Sequence, residues 1–197
     1  NIRQTIARAT GSLVRQFRRI LTVLSELGYV DEGPNPTEEG LRLAGIYSEV
    51  DLLVAEALRE GLFEELSAAE LAGIAALLLY EPRGGEPTLR PELPTAALYE
   101  ATEKILALAE HLRDRERQAG ITPLRELDAG FVAAAWRWAS GADLYTALAR
   151  MELTGGDFVR IIKQIADLVG QLRHVGDAGL VSRAEQALDG LRRGIVE

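Results

Sequence analysis

The run 71–79 does most to narrow what this chain can fold into. It reads Leu71-Ala72-Gly73-Ile74-Ala75-Ala76-Leu77-Leu78-Leu79 and contains no polar side chain. The preceding Ser67-Ala68-Ala69-Glu70 has capping-box spacing, in which the serine hydroxyl and the glutamate carboxylate each take a free N–H at a helix start. The helix it opens is apolar nearly all round. A membrane span needs about 20 apolar residues, so this helix is far too short to cross one and must be covered by protein on every side. Segments before and after it are therefore expected to pack together as one unit.

Those segments read as helices. Leu13, Phe17, Ile20, Leu21, Leu24 and Leu27 recur at three- and four-residue spacing, which predicts an amphipathic helix over 2–27 ended by Gly28. A minor β-hairpin near 29–37 fits Tyr29-Val30-Asp31 and the turn at Gly33-Pro34, although Pro36 weakens its second strand. Thr37 caps a short helix, and Ser48, with Asp51 three residues on, starts another that Gly61 stops. Proline and glycine mark 82–94 as a loop, of a composition that suggests mobility. A long helix from about 95 to 118 ends at Gly120 and Pro123. Asp128 then caps a short helix bearing Phe131, Val132, Trp136 and Trp138. Trp136, four residues from Val132, reads as core; Trp138 is harder to place. Short and long helices follow over 143–151 and, capped by Thr154, to about 175; Asp177 opens the last, to about 195. There is no internal repeat and no parallel-sheet pattern. The expected fold is all-α: a bundle of roughly eight helices forming one domain over 1–197, with front half 1–81, loop 82–94 and back half 95–197.

Composition removes several chemistries. The apolar fraction of 47% and charged fraction of 26% are those of an ordinary globular chain. The absence of cysteine excludes disulfides, Cys-type zinc sites and Cys nucleophiles, and fits a cytoplasmic protein. No P-loop and no G-x-S-x-G elbow occur. His111 and His174 each lack a second ligand at metal spacing, and no carboxylate sits alone in an apolar stretch that would raise its pKa. The chain is expected to be no enzyme by itself and to hold no cofactor. Its net charge of −8 counts against a strong independent grip on phosphates, yet the charge is uneven, with five arginines and no acid in residues 1–25. The chain opens on Asn1 inside a helical pattern without an initiator Met, as a piece of a longer protein would. No secretory signal is visible and no membrane contact is expected.

One constellation has a shape. Residues 138–172 read helix, turn, helix. In the second helix Phe158, Ile161, Ile162, Ile165, Leu168, Val169 and Leu172 form one face. Arg160, Lys163, Gln164, Asp167 and Gln171 step by three and four along another. Arg160 and Lys163 can pair with phosphates. Gln164 can donate to and accept from a base or a ribose 2′-hydroxyl, and Asp167 can accept from a 2′-hydroxyl or orient a neighbouring cation. Spacing alone fits a plain solvated face at least as well.

Several blocks, in order, resemble the C-terminal (DSHCT) domain of the Mtr and Ski helicases and bacterial HelY proteins. They are Val23-Leu24-Ser25-Glu26-Leu27-Gly28-Tyr29-Val30, Thr37-Glu38-Glu39-Gly40-Leu41-Arg42-Leu43-Ala44, 48–56 with 62–67, and 71–81. The most specific are the tail blocks Trp136-Arg137-Trp138-Ala139-Ser140-Gly141-Ala142, Gly155-Gly156-Asp157-Phe158-Val159-Arg160 and Arg192-Arg193-Gly194-Ile195-Val196. The basic spacing in 12–19 with Phe17 looks most like the HelY branch. The resemblance implies a superfamily-two, ATP-dependent, 3′-to-5′ RNA helicase as parent, whose ATPase core binds ATP and Mg²⁺ outside this chain. It implies a monomeric helical domain packed in cis over the channel for single-stranded RNA, with a ratchet-like helix over 157–172. The RNA-contacting positions fall on Gln164 and Asp167, with Arg160 and Lys163 alongside. Eukaryotic members carry arginine and glutamate at the first two, so Gln164 keeps a donor and loses a charge. Two other classes stay open from the residues alone: a helix-turn-helix DNA-binding regulator and a helical protein-interaction module.

Overall fold

The computed structural model describes residues 2–33, 35–149 and 151–197, with side chains from Ser12 onward except at Arg83. The expectations that fall on residues 1–11 as side chains, and on Pro34, lie outside what is described. Nine α-helices occur among the described residues: α1 (Ile2–Glu26), α2 (Glu38–Leu43), α3 (Asp51–Arg59), α4 (Ala68–Leu79), α5 (Ala96–Ala119), α6 (Val132–Ala139), α7 (Leu144–Ala147), α8 (Gly155–Val175) and α9 (Ala178–Leu191). Short 3₁₀ turns at Arg83–Gly85, Ala129–Phe131 and Gly194–Val196 connect or extend them. The fold is all-α.

Helix α4 is the hub. Its capping box is complete: the Ser67 hydroxyl accepts from the Glu70 N–H and the Glu70 carboxylate accepts from the Ser67 N–H. Leu71 to Leu78 are buried without interruption, and α5, α6, α8 and α9 pack around them. Burying each leucine or isoleucine here contributes about 1.5–3 kcal/mol. The cover is close enough to demand a glycine at one crossing. A Cβ on Gly190 of α9 would lie 2.5 Å from the Ala139 carbonyl oxygen at the end of α6, so the two helices meet backbone to side-chain-free backbone. One cluster of buried side chains runs from Tyr29 to Val196 and so joins residues on both sides of the 82–94 segment.

The front of the chain is tied in by a buried acid. Glu56 of α3 is 4% exposed, accepts from the Tyr29 hydroxyl at 2.5 Å, and pairs with Arg59. Arg59 also donates to the Leu27 carbonyl at 2.7 Å, closing the end of α1 onto α3. Burial, and then the Glu56 carboxylate, push the Tyr29 hydroxyl far above its ordinary pKa, so it is held as a donor.

Three local expectations change. The hairpin is a single antiparallel bridge between Val30 and Pro36, because proline has no N–H with which to continue a ladder. Helix α3 starts at Asp51, since the Ser48 hydroxyl takes the Val50 N–H within the preceding turn and caps nothing. The 82–94 segment is fastened: the Thr88 N–H donates to Asp128 at 2.7 Å and Glu92 pairs with Arg137. At its end Thr95 caps α5 and donates to Glu70 at 2.6 Å.

Burial pushes the Glu70 carboxyl up, but the hydrogen bonds from Thr95 and Ser67 outweigh it and hold the group below its ordinary value. A folded value below the unfolded one gives stability that is present above the ordinary glutamate range and lost as pH falls through the folded value. Glu70→Gln keeps the capping geometry and removes the charge. It should therefore lower urea-unfolding stability by about 0.5–1.5 kcal/mol at neutral pH. The difference should vanish in acid; a difference independent of pH would contradict the assignment.

Candidate nucleic-acid interface

Helix α8 is capped by Thr154, whose hydroxyl accepts from the Asp157 N–H and donates to its carboxylate. Arg173 occupies the last turn, where positive charge suits the helix dipole. Phe158, Ile161, Ile162, Ile165, Leu168, Val169 and Leu172 are all buried, as their period predicts. The helix is thereby fixed along its length, and its polar face looks outward.

Arg160, Lys163, Gln164 and Asp167 are exposed on that face. Among the described residues no hydrogen bond or ion pair engages any of the four. Gln171, the fifth member of the stripe, is engaged. Its amide oxygen accepts from the Tyr47 N–H at 2.7 Å and its amide nitrogen donates to the Tyr47 carbonyl at 3.4 Å. The free stripe is thus four residues long.

The two flanks of the stripe differ. On one side Lys163 and Asp167 line a concavity of about 310 Å³ with Arg192, Glu197, Ala166 and Val196. On the other, Gln164 and Asp167 line a groove of about 440 Å³ whose opposite wall carries Tyr47, Glu49, Glu81 and Arg125. Arg125 donates to the Leu78 carbonyl at 2.8 Å at the end of α4 and pairs with Glu81 at 3.2 Å, so its charge is largely committed. Sequence reasoning missed Tyr47, Arg125 and Arg192. Arg192 could have been suspected from its place in the tail block; Tyr47 sits in a turn and has no periodic signal.

Another concavity, about 310 Å³, lies between α2, α3 and the α8–α9 turn. Its arginines are engaged: Arg42 with Glu38 and Glu39, Arg59 with Glu56, and Arg183 with the Phe63 carbonyl. Arg183 has no carboxylate partner among the described residues, and its buried Nε has no hydrogen-bond acceptor. Among the described residues no group of His, Asp and Glu is arranged to hold a metal ion.

Both tryptophans pack on the core, Trp138, which the sequence left unplaced, more deeply than Trp136. Trp138 is 3% exposed, stands edge-on to Phe158 and donates from its indole N–H to the Leu191 carbonyl at 2.9 Å. Arg193 lies over its ring with the guanidinium carbon 3.7 Å from the centroid and donates to the Trp138 and Ala142 carbonyls. Trp138 is unavailable to stack on a base, and Trp136 is the half-buried one. The Trp136–Ala142 and Arg192–Val196 blocks are two halves of one lock that fastens the tail beside α8.

The DSHCT (NUC185) domain profile matches residues 33–197, from the turn after α1 to the end. The chain belongs to the DSHCT domain family. It is 40% identical to "Probable helicase HelY" of Mycobacterium tuberculosis, with 99% of this chain and 23% of that protein covered. It is 25% identical to "DExH-box ATP-dependent RNA helicase DExH10" of Arabidopsis thaliana (99% of this chain, 21% of the relative). It is 22% identical to human "Exosome RNA helicase MTR4" (88% and 17%). This DSHCT chain thus spans about a quarter or less of the length of the curated relatives it matches, 23% in HelY. Among its described residues no helix is long and apolar enough to cross a membrane.

If the Trp138–Arg193 lock fastens the tail, Trp138→Ala should lower unfolding free energy by about 3–5 kcal/mol. A double-mutant cycle with Arg193→Ala should show coupling of about 0.5–3 kcal/mol, measured by urea denaturation. Additive losses would mean that the stacked guanidinium contributes nothing of its own.

Proposed function

We propose that this chain is the accessory domain of an ATP-dependent RNA helicase and that α8 forms part of its single-strand path. The observation that carries the reading is the set Arg160, Lys163, Gln164 and Asp167, exposed and unengaged on a helix whose other face is fixed in the core. Charges and amides left free on a rigid helix are preorganised for a ligand and lose little freedom on binding it. The relatives' names supply the ligand class, since two of them are RNA helicases.

ATP and Mg²⁺ belong, on this reading, to the ATPase core in the remainder of the parent. The glycine pair here does not suit a phosphate. Gly155-Gly156 opens α8, but Asp157 returns its carboxylate to the cap through Thr154, placing negative charge where a phosphate would sit. The domain contributes no chemical step; it holds and guides the strand while the core moves it. On the same reading the parent works as a monomer in the cytoplasm.

Helix α1 suits contact with that core in cis. Leu13 is 66% and Phe17 60% exposed, with Val14 and Ile20 on the same side, and the family match begins only after this helix. Arg19 and Arg115 fasten its far end to α5 and the following turn: Arg19 donates to the Gly120 carbonyl at 2.8 Å and Arg115 pairs with Glu26. An apolar stripe of this kind marks an interaction surface.

Fluorescence anisotropy with single-stranded RNA at low salt tests the reading. Arg160→Ala with Lys163→Ala should weaken binding at unchanged helicity. Each phosphate no longer neutralised should also flatten the dependence of log affinity on log salt by about 0.7, or about 1.4 for the pair. Equal affinity and equal salt dependence for parent and variant would remove α8 from the strand path.

A further inference from the structure

The groove on the Tyr47 side of α8 is unlike the flank that holds Lys163 and Arg192. Its carboxylates, Glu49, Glu81 and Asp167, face a single cation, Arg125, which is already paired with Glu81 at 3.2 Å. Such a wall repels phosphate. What it presents instead is an aromatic ring. Tyr47 is 81% exposed, yet its main chain is held on both sides by the Gln171 amide, 124 residues away in sequence. The clamp fixes where the ring is anchored, so only its side-chain torsions are ordered when something stacks on it. Nucleobases stack on aromatic side chains whatever their sequence, and the face of a base carries no charge for the carboxylates to repel. Gln164 lines the same groove with an amide that both donates and accepts.

We infer that Tyr47 is a stacking platform for a nucleobase of the bound strand. Gln164 hydrogen-bonds that base or its ribose, and the phosphates run along the Lys163 and Arg192 flank. The α8 stripe is therefore a divide between two halves of one nucleotide chain: backbone on the side where the cations Lys163 and Arg192 stand beside Asp167 and Glu197, bases on the aromatic side. This rests on the reading of α8 as the strand-facing helix.

Binding to a fluorescein-labelled oligoadenylate and to its abasic counterpart of equal length tests it, for the full chain and three variants checked for helicity. Tyr47→Ala should weaken oligoadenylate binding at least about fivefold and leave abasic binding unchanged. Tyr47→Phe, which keeps the ring, should bind both as the parent does. Arg160→Ala with Lys163→Ala should weaken both probes. Oligoadenylate binding that survives Tyr47→Ala while the charge variant loses it would overturn the stacking role and leave the α8 reading in place. An equal loss of both probes in Tyr47→Ala would also overturn it, since the ring would then not be reading a base. No loss in any variant, or no binding by the parent, would remove both.

Discussion

Helix α4 has no face to give to water between Leu71 and Leu78, and the rest of the bundle is arranged around that fact. Exposing even part of it would leave apolar surface that costs about 25 cal/mol per Å². Four helices from the back half enclose it, and each becomes amphipathic by necessity: one face on α4, one face out. Helix α8, with 21 residues second in length to α5 among the four, is pinned by seven large apolar side chains. Its outer stripe inherits that rigidity. The candidate interface is thus a consequence of how the core is closed.

Polar fastenings refine this packing. The Tyr29–Glu56–Arg59 cluster closes the front of the chain, and Trp138 with Arg193 closes the back. Both use arginine where a planar cation can stack and donate several hydrogen bonds at once, which lysine could not do. The residues that make the family blocks recognisable are, in the tail, mostly these fastenings. They hold the domain's shape, whereas the residues proposed to touch a strand are exposed and engaged by no other described residue of the fold.

Much of the fold could be read from the chain. Capping residues announce themselves locally: Ser67 with Glu70, Thr154 and Asp177 cap the helices they were expected to open, Thr95 caps the long helix expected from about 95, and Asp128 caps the 3₁₀ turn Ala129–Phe131 that leads into α6 rather than α6 itself. The buried face of α8 follows from its period alone. Part of what failed depended on distant partners. Helix α9 ends at Leu191 rather than near 195, because Arg193 turns away to Trp138. Ser48 has the right residue type for a cap but spends its hydroxyl in a turn. The four stripe residues were legible as a stripe; that Gln171 leaves it to clamp Tyr47 was not, because the contact spans 124 residues. The groove opposite Gln164 exists only once that clamp, α4's end and Arg125 are brought together.

The most direct test is a titration of the ¹⁵N-labelled chain with single-stranded RNA, followed by amide chemical-shift changes. The account predicts that the largest shifts cluster along the outer face of α8, at Lys163, Gln164 and Asp167, and at Tyr47 across the groove. Shifts confined to α1, or to the concavity between α2 and α3, would contradict it and place the strand on another surface.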